Sequence, residues 1–238
     1  LEQGTFTVTL TGTDRIDNRV FTDTADVFVN NVAPQGVSAG PDLNVFEGDP
    51  VNLTASFVDP GIDDTHTFLW EIDADNGEVI ADGTESGFTF VPGDEGIYTV
   101  TLTVTDDDGG IGTDEVVVKV DNVPPQVVLQ PQVLPVFDGT DPAPFSGGGM
   151  ARSLSGDPVP GIEGTPVVLT AGVSDPGGGD THSYLWEVSA DNEQEVPDGT
   201  GPTLTFVPED EGVYTVTVTV TDDEGASGSN TILVDVSN

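Results

Sequence analysis

EGIYTVTLTVTDDDG, Glu95 to Gly109, decides the fold, because its large apolar residues fall on every second position. Tyr98, Val100, Leu102 and Val104 alternate with Thr99, Thr101, Thr103 and Thr105. A period of two places the first set on one face of a strand and the threonines on the other. One face then meets a core and the other meets water, as in antiparallel sheets. The stretch recurs as EGVYTVTVTVTDDEG, Glu211 to Gly225. Upstream of each copy, DPGIDDTHTFLWE (Asp59 to Glu71) recurs as DPGGGDTHSYLWE (Asp175 to Glu187). Trp70 and Trp186, Tyr98 and Tyr214, and Asp106 and Asp222 are each 116 positions apart. The chain is therefore one module repeated, and each half can be interpreted through the other.

The same alternation predicts more strands. Val51, Leu53, Ala55 and Phe57 form one, matched by Val167, Leu169, Ala171 and Val173. Phe68, Trp70 and Ile72 form another, matched by Tyr184, Trp186 and Val188. Turn chemistry separates them: Asp-Pro-Gly at 59–61 and 175–177, Asp-Gly at 82–83 and 198–199, Asp-Glu-Gly at 94–96 and 210–212. Short strands with such punctuation indicate a β-sandwich, with Trp and Tyr as core anchors.

Two similar linkers set the boundaries. VNNVAP (Val29 to Pro34) and VDNVPP (Val120 to Pro125) stand 91 positions apart. They divide the chain into 1–32, 33–122 and 123–238. In the first piece Gly4, Phe6, Val8 and Leu10 match Gly96, Tyr98, Val100 and Leu102. Residues 1–32 are thus the last two strands of a preceding, partial module, and two lone strands are not independently stable. The last piece carries an insertion at about 131–158, rich in Gly, Pro and Ser, which predicts a surface loop.

Composition narrows the function. The 43 acidic and 4 basic residues give a formal charge of −39. Phosphate backbones and anionic membranes are bound by clustered Lys and Arg, so nucleic acid and lipid surfaces are excluded as partners. No apolar run reaches the ~18 residues of a membrane span. With no cysteine there are no disulfides and no thiolate metal sites. So large a charge makes a compact state costly unless cations bind or screen it. Specific Ca²⁺ sites and life in high salt both meet that need. Catalysis is not expected: no Ser/His/Asp constellation stands out, and turn carboxylates on a small sandwich do not form the facing pair of a glycosidase.

The Trp-bearing strand, the Asp-Pro-Gly turn before it, and the late Gly-x-Tyr-Thr-Val-x-Leu/Val-x-Val-x-Asp strand together resemble the PKD domain (polycystic kidney disease repeat). The resemblance covers both full modules and the N-terminal remnant. It implies an all-β fold of tandem immunoglobulin-like (PKD-type) antiparallel β-sandwiches. It also implies a secreted or cell-surface protein in which such modules act as spacers, adhesive units or accessories to an enzyme. Some bacterial members bind Ca²⁺ through a linker Asn, Asp residues before the Trp strand, and the Asp that ends the Tyr strand. Transferred residue by residue, this implies Asn31, Asp59, Asp64 and Asp106 in the first full module. In the second it implies Asn122, Asp175, Asp180 and Asp222.

Oxygen-rich loops suit Ca²⁺, which takes six to eight such ligands. Turn aspartates also cap their own backbone without any metal, so both roles stay open. His66 and His182 occupy matching positions, which favours a packing or hydrogen-bonding role. Three functions follow. The first is a cation-stiffened stalk in contact with neighbouring modules of the same protein. The second is a subunit that self-associates into filaments or layers by strand complementation through residues 1–32. The third is an accessory module that binds a surface glycan or a protein, with Phe137 and Phe145 in the insertion as exposed candidates.

Overall fold

The computed structural model describes residues 3–61, 63–132 and 158–238. Phe137, Phe145 and nearly all of the 131–158 insertion lie outside the described residues. The chain divides into two compact units, Leu1–Asp121 and Asn122–Asn238.

The first unit opens with a hairpin of β1 (Gly4–Thr13) and β2 (Val20–Val29). The sandwich follows, beginning with β3 (Gln35–Ser38) and β4 (Leu43–Phe46). Next come β5 (Val51–Thr54), β6 (Ser56–Val58), β7 (His66–Ala74) and β8 (Gly87–Phe90). It ends with β9 (Gly96–Asp106) and β10 (Ile111–Asp121). One layer is the four-stranded sheet β4-β10-β9-β7, in which β4 runs parallel to β10 and the other pairs are antiparallel. The other layer pairs β3 with β6 and β5 with β8.

The second unit repeats this plan. It contains β11 (Gln126–Gln132), β12 (Val159–Ile162), β13 (Val167–Ser174) and β14 (Ser183–Ala190). It closes with β15 (Thr203–Phe206), β16 (Gly212–Thr221) and β17 (Ser227–Ser237). Its layers are β12-β17-β16-β14 and β11-β13-β15, with β12 parallel to β17. Here β13 is continuous where β5 and β6 are separated at Ala55. The interruption is nominal, because Ala55 N donates to Ser86 O at 2.8 Å just as Ala171 N donates to Pro202 O at 2.9 Å.

Alternation builds both cores. Tyr98, Val100, Leu102 and Val104 on β9 are fully buried, as are Tyr214, Val216, Val218 and Val220 on β16. Each indole is buried and hydrogen-bonded: Trp70 Nε1 donates to Glu85 O at 2.9 Å, and Trp186 Nε1 donates to Gly201 O at 2.7 Å. A buried indole N–H needs such a partner. Each tyrosine forms a corner: Tyr98 Oη donates to Asp94 O at 2.8 Å, and Tyr214 Oη to Asp210 O at 3.1 Å.

The Asp-Gly pairs expected as simple turns do more than turn. Gly83 and Gly199 bridge to the backbones of Trp70 and Trp186, extending the sheet edge by one rung. A Cβ on Gly83 would run into the Phe88 ring, so only glycine lets this segment close over the core.

Candidate metal sites

Strand β9 ends at Asp106, which faces inward and is only 4% exposed. A buried carboxylate needs donors. Its Oδ1 accepts from Gly110 N at 2.7 Å and Asp108 N at 3.1 Å. Its Oδ2 accepts from Asn31 Nδ2 at 2.9 Å, so the linker residue is held against the end of the sandwich. The Asn31 amide, helped by the Gly110 and Asp108 amides, holds the Asp106 carboxyl below its usual range; burial opposes this.

The Asp-Pro-Gly turn brings two more acids to the same place. Carboxylate oxygens of Asp59, Asp64 and Asp106 lie within 4.8 Å of one another. Asp64 folds back over Gly61 so closely that any Cβ there would strike its carboxylate. Burial, then the charges of Asp59, Asp107, Asp108 and Asp106, raise the Asp64 pKa. Asp59 is held low instead, first by His66, whose Nε2 lies 3.0 Å from its Oδ2, and then by Gly61 N. The four residues Asn31, Asp59, Asp64 and Asp106 thus converge from three distant stretches of sequence.

The second unit reproduces most of this arrangement. Asn122 Nδ2 donates to Asp222 Oδ2 at 3.0 Å, and Asp222 Oδ1 accepts from Ala226 N at 2.7 Å. Asp175 Oδ2 lies 2.9 Å from His182 Nε2. Both histidines therefore have the hydrogen-bonding role expected of them. The acidic cluster here is Asp180, Asp222 and Glu224, again within 4.8 Å. Glu224 was not singled out from the sequence. It is the counterpart of Asp108, and only its place two residues beyond the Asp that ends the strand could have flagged it. Loss of hydration, then the charges of Asp223, Asp180 and Asp222, raise its pKa.

The donor set fits a hard divalent cation. Three carboxylates converge at each site, the ligands Ca²⁺ prefers, beside a linker Asn whose amide nitrogen donates to the Asp at the strand end. Asn122 Oδ1 is buried with no hydrogen-bond partner, on the amide group that touches Asp222. A buried, unsatisfied acceptor costs free energy unless something coordinates it. Carboxylates with raised pKa values are groups the fold disfavours in their charged form, and a cation removes that penalty.

These shifts set an acid limb. Asp106 has a depressed folded pKa, so its contribution to stability is present above its unfolded value of about 3.9. That contribution is lost as pH falls through the folded value. Asp64 has the opposite sign: its contribution is present in acid and is lost as pH rises through its raised folded value. Asn31→Ala removes the main support of the Asp106 carboxylate. In chelator, its acid-unfolding midpoint is expected to move to higher pH, measured by fluorescence between about pH 2 and 5. An unchanged midpoint would show that the amide does not hold Asp106 down.

The PKD domain family matches residues 31–120 and 155–236. The chain belongs to the PKD domain family. No match is found among curated protein sequences. Among solved structures, the PKD domain (329–428) of human KIAA0319 is 23% identical, covering 36% of this chain and 79% of that one, at a TM-score of 0.31. The fibronectin(III)-like modules of Clostridium thermocellum CbhA are 16% identical, covering 84% and 92%, at a TM-score of 0.30. Three N-terminal domains of the bacteriophage RB49 outer capsid protein Hoc are 20% identical, covering 81% and 55%, at a TM-score of 0.30. The two PKD stretches coincide with the two sandwiches, and each contains one of the acidic clusters described above. No helix among the described residues is long and apolar enough to cross a membrane.

Proposed function

We propose that this chain is a non-catalytic spacer of a secreted or cell-surface protein. Its PKD sandwiches are each stabilised by Ca²⁺ where the linker enters the module. In the first module Asn31, Asp59, Asp64 and Asp106 hold the ion. In the second, Asn122, Asp180, Asp222 and Glu224 hold it, with Asp175 positioned beside His182. The ion supplies charge neutralisation and a cross-link between the linker and two loops of the module it enters. The observation that carries this proposal is the buried, unpartnered Oδ1 of Asn122 on the residue that touches Asp222.

Thermal melts in chelator, in 10 mM Ca²⁺ and in molar KCl test the proposal. At extracellular affinities of roughly 10⁻⁴ to 10⁻³ M, 10 mM Ca²⁺ contributes about 1.4–2.7 kcal/mol. That is a rise of several degrees for a module of this size. Asp222→Ala is expected to abolish the rise in the second module. Stabilisation by KCl alone, with no specific response to Ca²⁺, would mean that the acidity is a salt adaptation and the metal sites would be withdrawn.

A further inference from the structure

The three-stranded sheet of the second module, β11-β13-β15, ends on β15, which pairs only with β13. Ala171 N donates to Pro202 O, and the register continues from there through Leu169 with Leu204 to Val167 with Phe206. Bonded and non-bonded pairs alternate in an antiparallel ladder, so Leu204 and Phe206 turn their peptide groups to β13. Thr203 and Thr205 turn theirs to the open edge, where no described residue bonds to them. Such an edge is a template for another chain, and charge or proline within the strand is the usual way to blunt it. The strand itself, Thr203-Leu204-Thr205-Phe206, has neither.

A cleft of about 530 Å³ lies along this edge. Thr203, Thr205 and Val207 line one wall, and Gln194, Val196 and Asp198 line the other. Gln194 shows what the edge accepts. Its Nε2 donates to Val207 O at 3.0 Å and its Oε1 accepts from Glu209 N at 2.8 Å, so a side-chain amide stands where a peptide group of a neighbouring strand would stand. The turn that presents Gln194 passes through Glu193 at φ 67°, a conformation that strains a non-glycine residue; the first module has Gly77 at that place. The rim is acidic, with Glu195, Asp198 and Glu209 exposed. This exceeds the general acidity of the chain, because the first module has Val79 and Gly93 in place of Glu195 and Glu209.

We infer that this cleft takes an extended peptide segment of a partner protein, which adds a strand to the edge of β15 and carries Lys or Arg on alternate residues. Backbone bonds to Thr203 and Thr205 hold the segment, the mode of strand addition to a sheet edge. Side chains of an added strand alternate, so one set meets the rim carboxylates and the other, apolar, turns toward Val196. Pro202 and Pro208 bound the open edge, so the segment held in register is about five residues long. Charge selects the occupant. The chain has 43 acidic and 4 basic residues, so a second copy would bring acid against acid, whereas a basic segment neutralises the rim.

The full chain with a capped peptide of alternating lysine and valine, six residues long and at about 1 mM, tests the inference. Backbone bonding at a strand edge does not depend on sequence, so a generic probe suffices. Hydrogen exchange at the Thr203 and Thr205 amides is expected to slow about 10-fold, while Gly87 and Thr89, their counterparts on β8, do not change. The same peptide with glutamate in place of lysine is expected to give no protection. Thr205→Pro removes an outward N–H that the ladder to β13 does not use, and is expected to abolish the effect. Glu195→Gln with Glu209→Gln is expected to weaken binding about 5-fold and to flatten its salt dependence. This pair leaves the backbone untouched, so it reads the site even where proline unfolds the strand. Absence of protection at Thr203 and Thr205 overturns the inference, as does equal protection by the glutamate peptide. A dimer of the unmodified chain that Thr205→Pro dissolves also overturns it, by making a second copy the occupant.

Discussion

Trp186→Ala is expected to cost the second module about 3–5 kcal/mol, the range for deleting a buried aromatic side chain. Trp186 is fully buried, and its ring adjoins the site of a Cβ on Gly199. Two interactions are at stake. The ring fills the space between the sheets, and its Nε1 satisfies Gly201 O at 2.7 Å. Removing it leaves both a cavity and an orphaned carbonyl. Small domains are held by only about 5–15 kcal/mol, so the loss takes a large share of the module's margin. Hydrogen exchange in low urea reads it directly: amides of β16 lose protection, while those of β9 serve as an internal reference. A loss below about 1 kcal/mol would mean that the indole is not the centre of the core. Trp186→Phe keeps the apolar volume better and is expected to fall between the two.

Gly228→Val is expected to be the most damaging single substitution outside the aromatic core. A Cβ there would overlap Pro125 O, a backbone atom that cannot swing away. The entering strand β11 must shift, and Asn230 Nδ2 would lose Val127 O, now 2.9 Å away. Overpacking of this kind costs about 1–3 kcal/mol when side chains absorb it, and more when backbone must move. Gly12→Val is the control: a Cβ there meets nothing, so its effect is expected within about 0.5 kcal/mol. Urea melts of the two variants side by side decide the matter. Equal effects would show that the close approach at Gly228 is not a constraint.

The layered fold was legible because burial is written with a period of two in β9, β16, β13 and β14, and because every signal appears twice. The register of the hairpin at residues 4–29 could be seen in the match of Gly4, Phe6, Val8 and Leu10 to their counterparts. The acidic sites were legible only in outline. Asn31 meeting Asp106, and Asn122 meeting Asp222, depend on loops far apart in the chain, and neither spacing nor periodicity encodes such a meeting. Asp59 and Asp175 stand only seven residues before their histidines, and it is the fold of the intervening turn, not the spacing, that brings each pair together. Glu224 was hidden by chemistry, since the first module has a shorter Asp at that position and the two did not look alike. Gly83 and Gly199 looked like turn residues because the sequence shows their flexibility but not the indole-bearing strand they lie against.

The short strands β4 and β12 each run parallel to the last strand of their module, through four paired positions: Leu43 to Phe46 with Val118 to Asp121, and Val159 to Ile162 with Val234 to Ser237. Parallel pairing between the second strand and the last strand of a module fixes the direction in which those hydrogen bonds feel a pull once it has passed β3 or β11. A load drawn between the entering and leaving chain acts along these strands, in shear. The rungs then share the load and must yield together, whereas an antiparallel pair pulled at one end would open rung by rung.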